Sequence, residues 1–467
     1  MTTPNGTSGN TAAAGSSTLV RTLNFRDLLL LFIGAVIGSG IFLVPGGVLQ
    51  QTGGSVGLAL LVWVIGGVLS LLGALTYAEL SAANPTAGGL YCYVRDAFGR
   101  FPAFLYGWCL FLVISSGSVA ALARAFAIHL AEIVPLSRLE MTIAAVAVVA
   151  VVTAVNVWGT RKSSDLLNWM TLIKALVIVI LSAVLLSLGR HASESFTANT
   201  PAVHGKDLFA GFGLAMIAVL WAYEGWQFAT YNAGEALEPQ RNFPRAFLAG
   251  SLILTGLYLL ANLAYLAALG PVAAASSDAI AAASMKAVVG PWAGKLIALT
   301  ILVSTFSAAN SVVLSSPRVF YAMAQDKLFF QKLGEVHPRF RTPAAAVVSL
   351  GVWSAVLACA GKFAELIGGV IFIGWIFYGL GAASIFPLRR QSAGKALPYR
   401  VPGYPWTPIV FVVAATALVG NAVYLALRDP REFVHLAIAI VLFALGVPAY
   451  FLWRWTGREK SVSAPTD

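Results

Sequence analysis

The chain has 467 residues, of which 58% are hydrophobic and only 10% charged, and its mean hydropathy is +0.81. A water-soluble fold built from these residues would have almost nothing polar to present to solvent, so composition excludes a soluble enzyme or binding module and places the chain in a bilayer. The formal net charge of +11 would suggest nucleic acid in a soluble protein, but here the basic residues sit in short joints between apolar runs, which excludes that reading.

A bilayer core of roughly 30 Å needs about 20 apolar residues per helix. Cut at that length, the sequence predicts about twelve transmembrane helices. In chain order they span Leu28 to Leu49, Val56 to Ala82, Ala103 to His129, Met141 to Val157, Leu166 to Leu188, Leu208 to Tyr231, Ala246 to Leu269, Trp292 to Met323, Ala344 to Ala360, Leu366 to Pro387, Thr407 to Leu427 and Phe433 to Trp455. The runs are continuous rather than alternating, which argues helices over barrel strands. Residues 1–20 are small, polar and uncharged apart from their hydrophobic end, and lack the basic and apolar regions of a cleaved signal peptide. They read as a cytoplasmic tail. Asn5-Gly6-Thr7 matches a glycosylation acceptor by chance on that side, and Cys92, Cys109 and Cys359 have neither metal spacing nor an obvious partner.

With the N-terminus inside, 20 of the 30 lysines and arginines fall at the cytoplasmic side, Arg318 and Arg454 among them at the inner ends of their spans, and 7 outside, while Arg124, Lys174 and Lys295 lie within spans. This bias predicts both termini in the cytoplasm. Basic joints such as RKSSD (161–165), RVFYAMAQDK (318–327) and the arginine pair at 389 are orientation signals first.

Two spans carry defects. GAVIGSGIF (34–42) puts three glycines within seven positions of the first span, and LWAYEGWQ (220–227) interrupts the sixth. A repeat of five helices beginning at the first span and again at the sixth puts both defects in the first helix of its half. An odd-numbered repeat is inserted upside down the second time, and paired interrupted segments in matching positions mark the binding site of such transporters. Glycine costs about 1 kcal/mol in a helix interior, and unpaired backbone groups in lipid cost several more, so a break survives only where it lines a cavity. It then exposes free amides, which suit a carboxylate, and free carbonyls, which suit an ammonium. Close helix packing through small residues is the alternative origin of the glycines.

Gly38-Ser39-Gly40-Ile41-Phe42, Tyr77-Ala78-Glu79-Leu80 with Pro85, Gly88-Gly89 and Tyr91, and Ala222-Tyr223-Glu224-Gly225-Trp226 leading to Glu235, Pro239, Arg241-Asn242 and Pro244 together resemble the amino acid-polyamine-organocation superfamily. Within it the AYxGW stretch is most similar to the L-type amino acid transporter branch and its bacterial relatives. The likeness covers residues 25 to about 390. It implies an all-α integral membrane protein with a LeuT-like fold: a 5+5 inverted repeat, residues 23–190 and 207–390, followed by two C-terminal helices at 405–456, with tails at 1–22 and 457–467. It also implies sodium-independent movement of L-amino acids, often by exchange.

Carried over by motif, the amides of Ser39, Gly40 and Ile41, beside Gly38, would hold the substrate carboxylate. The carbonyls of Val36, Trp221, Ala222 and Glu224, beside Gly225, would surround its ammonium. Trp221 matches an aromatic gate; an ordinary packing tryptophan is the alternative. Lys174, eight residues into its span and roughly 12 Å deep, matches the lysine that stands in for a bound cation in sodium-independent members, with a snorkelling side chain as the alternative. Glu224 either meets the substrate's positive charge, carries a proton, or caps the half-helix that follows it. Ser307 and Asn310 in the eighth span are candidates to line the cavity or complete a cation site, and Ser115, Ser116 and Gly117 are similar. Glu79 reads as an interfacial charge, and residues 84–100 as a Gly-rich loop under the inner gate. The loop AEIVPLSRLE (131–140) has no cysteine, so no disulfide-linked heavy subunit is expected. No cofactor, metal or nucleic acid is implied.

The expectation is thus an amino acid transporter of the plasma membrane, the inner membrane of a bacterium, that holds neutral L-amino acids between two unwound segments and exchanges them, with cationic amino acids as an open further class. A proton-coupled symporter of the same fold is the nearest rival. An amino acid sensor that binds without transport is the second. An intramembrane enzyme lacks a nucleophile with a base at usable spacing.

Overall fold

The computed structural model describes residues 19–192, 206–360, 363–394, 396–428 and 430–462. Most of the expected N-terminal tail and the last five residues of the C-terminal one lie outside them. The described chain is all helical apart from one isolated parallel bridge between Leu23 and Ala236.

The first span is two half-helices, α1 (Phe25–Val36) and α2 (Gly40–Gln51), bent by 47° at the break. Asn24 and Asp27 form a capping box that starts α1, each side chain accepting from the other's backbone amide. The second span, α3 (Val56–Ala83), leads to a short helix α4 (Leu90–Phe98), so part of the stretch expected as a loop is helical. Gly89, at φ +45 and with the Thr230 backbone where a Cβ would sit, makes the turn into it. The third span runs through α5 (Arg100–Cys109), a π-helical turn at Leu110–Ile114 and α6 (Ser115–Ala131). Spans four and five are α7 (Arg138–Val157) and α8 (Thr160–Leu188).

The sixth span ends its first part at α9 (Lys206–Ala222) and resumes, after turns at 223–227, as the single turn α10 (Phe228–Tyr231). Span seven, α11 (Pro239–Ala275), runs six residues beyond its expected end through a kink at Gly270 and Pro271. A short α12 (Ile280–Val288) precedes span eight, α13 (Ala293–Ser315), continued by α14 (Pro317–Gln325). Spans nine and ten are α15 (Ala344–Ala360) and α16 (Phe363–Ala383), the latter extended by α17 (Ile385–Gln391). The last two are α18 (Trp406–Ala426) and α19 (Pro430–Val462), which runs past the expected boundary at 456.

Nine of these helices, or helix pairs continued end to end, are long and apolar enough to cross a membrane; with the bent pair and two shorter apolar helices, α9 and α15, the described residues account for the twelve expected spans. The breaks open the first and the sixth, as a LeuT-like 5+5 arrangement requires. Around them the interior is tightly packed: a Cβ on Gly66 would lie 2.5 Å from Val219 of α9, and one on Gly67 at the same distance from the Thr255 hydroxyl of α11. Small residues let these backbones approach, which replaces the hydrophobic drive that lipid does not supply. Trp63, Tyr223 and Tyr258 fill the space beside them, ring centroids 5.0–5.9 Å apart.

At one end, buried ion pairs tie the bundle together. Arg318 and Glu235, both almost completely buried, meet at 2.7 Å with Thr160 bonded to each. Glu79 takes a two-pronged bond from Arg389 and a third from the Val401 amide. Arg318, read from the sequence within a basic orientation signal, and Glu79, read as an interfacial charge, are interior clamps here, because each carboxylate finds a guanidinium that satisfies both its oxygens.

Candidate functional site

The two breaks cross. A Cβ on Gly40 would lie 2.8 Å from the Cα of Ala222, and Gly225, at φ +122, presses where a Cβ would reach the Ala35 carbonyl at 2.6 Å. Only residues without side chains allow this approach. Beside the crossing is a small cavity of about 30 Å³. Val36, Gly38, Ser39, Gly40, Trp221 and Glu224 of the sequence-derived set line it, together with Ser118 and Leu122 of α6, Phe228 of α10, and Ala308 and Val312 of α13.

The first break presents donors. Among the described residues, the amides of Gly38, Ser39, Gly40 and Ile41 donate to no backbone or side-chain acceptor. They stand at the start of α2, where the peptide dipoles favour an anion. The carbonyls released on the other side of the break are taken. Lys174, 1% exposed, donates to the carbonyls of Gly34 and Ile37, both at 2.6 Å. Ser304 donates to Ile37 at 3.0 Å and to Gly38 at 2.9 Å, and the Tyr258 hydroxyl lies 3.2 Å from the Val36 carbonyl and 2.9 Å from that of Ala222. A lysine ammonium therefore closes the C-terminal end of α1, where a positive charge meets the negative end of the helix dipole. It does not snorkel.

The second break presents an acceptor. Oε1 of Glu224 accepts from the Tyr378 hydroxyl at 2.6 Å and from the Gln227 amide at 2.7 Å, and Gln227 also donates to Tyr378 at 2.8 Å. Tyr378 lies on α16, whose backbone takes the Tyr77 hydroxyl of α3 at 3.0 Å. Oε2 has no protein donor among the described residues, and Glu224 lines the cavity. The carboxylate is held through one oxygen and offers the other. The Trp221 carbonyl accepts from the Glu224 amide at 3.1 Å, so that carbonyl belongs to a local turn.

Two further hydroxyls line the cavity, those of Ser39 and Ser118, 2% and 4% exposed, and neither has a hydrogen-bond partner among the described residues. An unpaired buried hydroxyl costs about 1–3 kcal/mol, so these two are groups waiting for a partner. Ser307 also lacks a side-chain partner but is not part of the lining. Asn310 points elsewhere: its carbonyl oxygen accepts from Asn156 at 2.8 Å and Ser163 at 3.2 Å, stitching α13 to α7 and α8. Ser115 bonds Ser316 at 2.7 Å, and Ser116 bonds back to the Phe111 carbonyl across the π turn.

Sequence reasoning missed Ser118, Gln227, Tyr258 and Tyr378, and reached Ser304 only as one of the eighth span's serines. Gln227 was legible as the polar residue ending LWAYEGWQ. The tyrosines carried no signal, because a Tyr in an apolar span looks like packing until its hydroxyl is seen to reach a freed carbonyl or a carboxylate.

The cavity thus has free amides on one side, a carboxylate oxygen on the other and two unpaired hydroxyls in a mostly apolar wall. Comparison with known proteins identifies the family. The amino acid permease family model matches residues 23–446. The chain is 32% identical over 431 residues to the serine/threonine exchanger SteT of Bacillus subtilis (strain 168), covering 91% of this chain and 94% of the relative. It is 31% identical over 449 residues to the large neutral amino acids transporter small subunit 2 of Rattus norvegicus, covering 92% and 80%, and 29% identical over 437 residues to the cystine/glutamate transporter of Homo sapiens, covering 91% and 83%. The chain belongs to the amino acid permease family, on the L-type branch of the amino acid-polyamine-organocation superfamily, and is a multi-pass amino acid transporter.

Proposed function

We propose that this transporter exchanges neutral and cationic L-amino acids across the plasma membrane without sodium, by alternating access around the cavity at the two breaks. The observation that carries the reading is the division of labour there: unpaired amides at Ser39, Gly40 and Ile41 on one side, the open oxygen of Glu224 on the other. The substrate carboxylate takes the amides. The charged end of a lysine- or arginine-like side chain takes Glu224, and the α-ammonium that all substrates share lies between the two breaks without depending on that carboxylate.

Lys174 supports sodium independence. Its ammonium already occupies the carbonyls of Gly34 and Ile37, the kind of oxygens a sodium ion would need, and like charge so close opposes a second cation. Among neutral substrates, the unpartnered hydroxyls of Ser39 and Ser118 favour a hydroxyl side chain, and a relative named for serine and threonine exchange is in keeping with that preference. Trp221, partly exposed on the cavity wall, is the closing aromatic. We place both termini in the cytoplasm and, in a bacterium, the protein in the inner membrane, with no disulfide-linked heavy subunit.

Counterflow in proteoliposomes tests this. Labelled serine or threonine should enter vesicles loaded with unlabelled amino acid, at the same rate in sodium and in choline. Under proton symport, which the buried Glu224 keeps in view, Glu224→Gln abolishes uptake driven by a pH gradient; under exchange it leaves neutral counterflow largely intact. A sensor shows no counterflow at all.

A further inference from the structure

Away from the cavity, an open groove of about 420 Å³ runs between α7 and α15. Val149, Ala150 and Thr153 of α7 and Gly351 and Val352 of α15 form its middle, and Trp158 lies at one end. The helices meet where Gly351 faces Thr153: a Cβ on Gly351 would lie 2.2 Å from the threonine oxygen. That hydroxyl donates to the Val149 carbonyl at 2.7 Å, so the floor offers no free donor. Ala150, Trp158 and Val352 are exposed. The lining extends along α7 from Val146 to Trp158, roughly 18 Å at the helical rise, close to the depth of one leaflet of a bilayer core.

The Trp158 end is basic. The Thr342 hydroxyl donates to the Val157 carbonyl at 3.0 Å, and the Phe340 carbonyl lies 3.7 Å from where a Cβ on Gly159 would be, which fixes the 339–342 turn beside the groove's end. Residues 158–165 and 335–343 carry Arg161, Lys162, Arg339 and Arg341 against Asp165 and Glu335. Arg161 engages Asp165 at 2.8 Å and Asp27 at 2.9 Å. Lys162, Arg339 and Arg341 are exposed at this end.

We propose that this groove binds an anionic phospholipid: one acyl chain lies between α7 and α15, and the phosphate headgroup sits at Trp158 among Lys162, Arg339 and Arg341. An apolar slot one leaflet long suits the chain, tryptophan favours headgroup depth, and a basic pocket at a helix junction selects anionic headgroups. A zwitterionic lipid would fill the slot but gain no net attraction from the rim. The site stands apart from the transport reading, since none of its residues lines the substrate cavity.

The test uses the full-length protein in phosphatidylcholine vesicles containing brominated phosphatidylglycerol or brominated phosphatidylcholine, with the Trp158 signal taken as the difference from Trp158→Phe. Brominated phosphatidylglycerol should quench Trp158 about fivefold more effectively at low salt, and the preference should shrink as salt screens it. The double variant Lys162→Gln/Arg339→Gln should lose the preference and keep ordinary quenching; Ala154→Leu, which fills the slot, should weaken quenching by both lipids. Equal quenching by the two lipids in the wild type, or a preference that survives the double variant, overturns the site. Where Trp158→Phe does not fold, native mass spectrometry of phosphatidylglycerol retained by wild type and double variant decides alone, equal retention overturning it.

Discussion

The two helix breaks solve the same problem in opposite ways. At the first, the chain itself carries no charge and the break is held open by others: Lys174, Ser304 and Tyr258 satisfy its carbonyls, leaving its amides bare. At the second, the chain supplies the charge, and its neighbours Gln227 and Tyr378 pin it while the backbone closes into a local turn, Glu224 to Trp221 and Phe228 to Gly225. A break that presents donors needs its acceptors silenced from outside. A break that presents an acceptor can carry that group within itself.

Substitutions at the crossing should disturb this contrast most. Gly40→Val pushes a branched side chain into the Ala222 backbone and separates the breaks, so counterflow should fall at least about 100-fold while the protein still inserts; near-normal exchange would show that the approach is not required. Glu224→Gln removes only the second break's charge. A charge-assisted hydrogen bond is worth about 1.5–3 kcal/mol, so competition by lysine, arginine and ornithine should weaken about 10- to 100-fold, with neutral substrates changed far less. If cationic amino acids fail to compete in the wild type, the carboxylate does not read substrate charge.

Lys174→Met tests the silencing at the first break. It leaves the Gly34 carbonyl without its only described partner and should cost about 1–3 kcal/mol, read as a melting temperature lowered by a few degrees, with exchange reduced about tenfold. Stability equal to wild type would mean that water serves that carbonyl as well. Ser118→Ala sharpens the donor side. Threonine and valine have nearly the same shape, so the wild type should prefer threonine and the variant should lose about a factor of ten of that preference, while alanine exchange persists. The mildest test concerns orientation. Cys359 is exposed near the end of α15, whereas Cys92 and Cys109 are buried, and burial pushes the Cys92 thiol up to about 11, so it stays protonated at neutral pH. An impermeant maleimide added to intact cells should label Cys359 alone; labelling only after permeabilisation would reverse the assigned topology.

Much of the architecture was legible before any coordinates. A long apolar run has one stable form in lipid, and glycines beside polar residues in its middle have few reasons to be there, so residues 34–42 and 220–227 announced both breaks. Trp221, Glu224 and Lys174 stood out because each is costly or conspicuous where it lies. Ser118 was hidden. The π turn at Leu110–Ile114 advances the helix face behind it by an extra residue, and no feature of LFLVI foretells that register. Arg318 and Glu79 were misread because sequence gives a charge its place along the chain but not its partner across the bundle.

What the sequence determined by itself was the number of crossings, the basic bias of one side and the positions of the two interruptions, since hydropathy, charge and helix-weakening residues act locally on the chain. What only tertiary structure decided was which side chains complete the interruptions. Tyr258 reaches Val36 from 222 positions away, and Tyr378 reaches Glu224 from 154. Hydrogen bonds over such separations depend on how helices pack, and packing is a property of the whole bundle rather than of any one run.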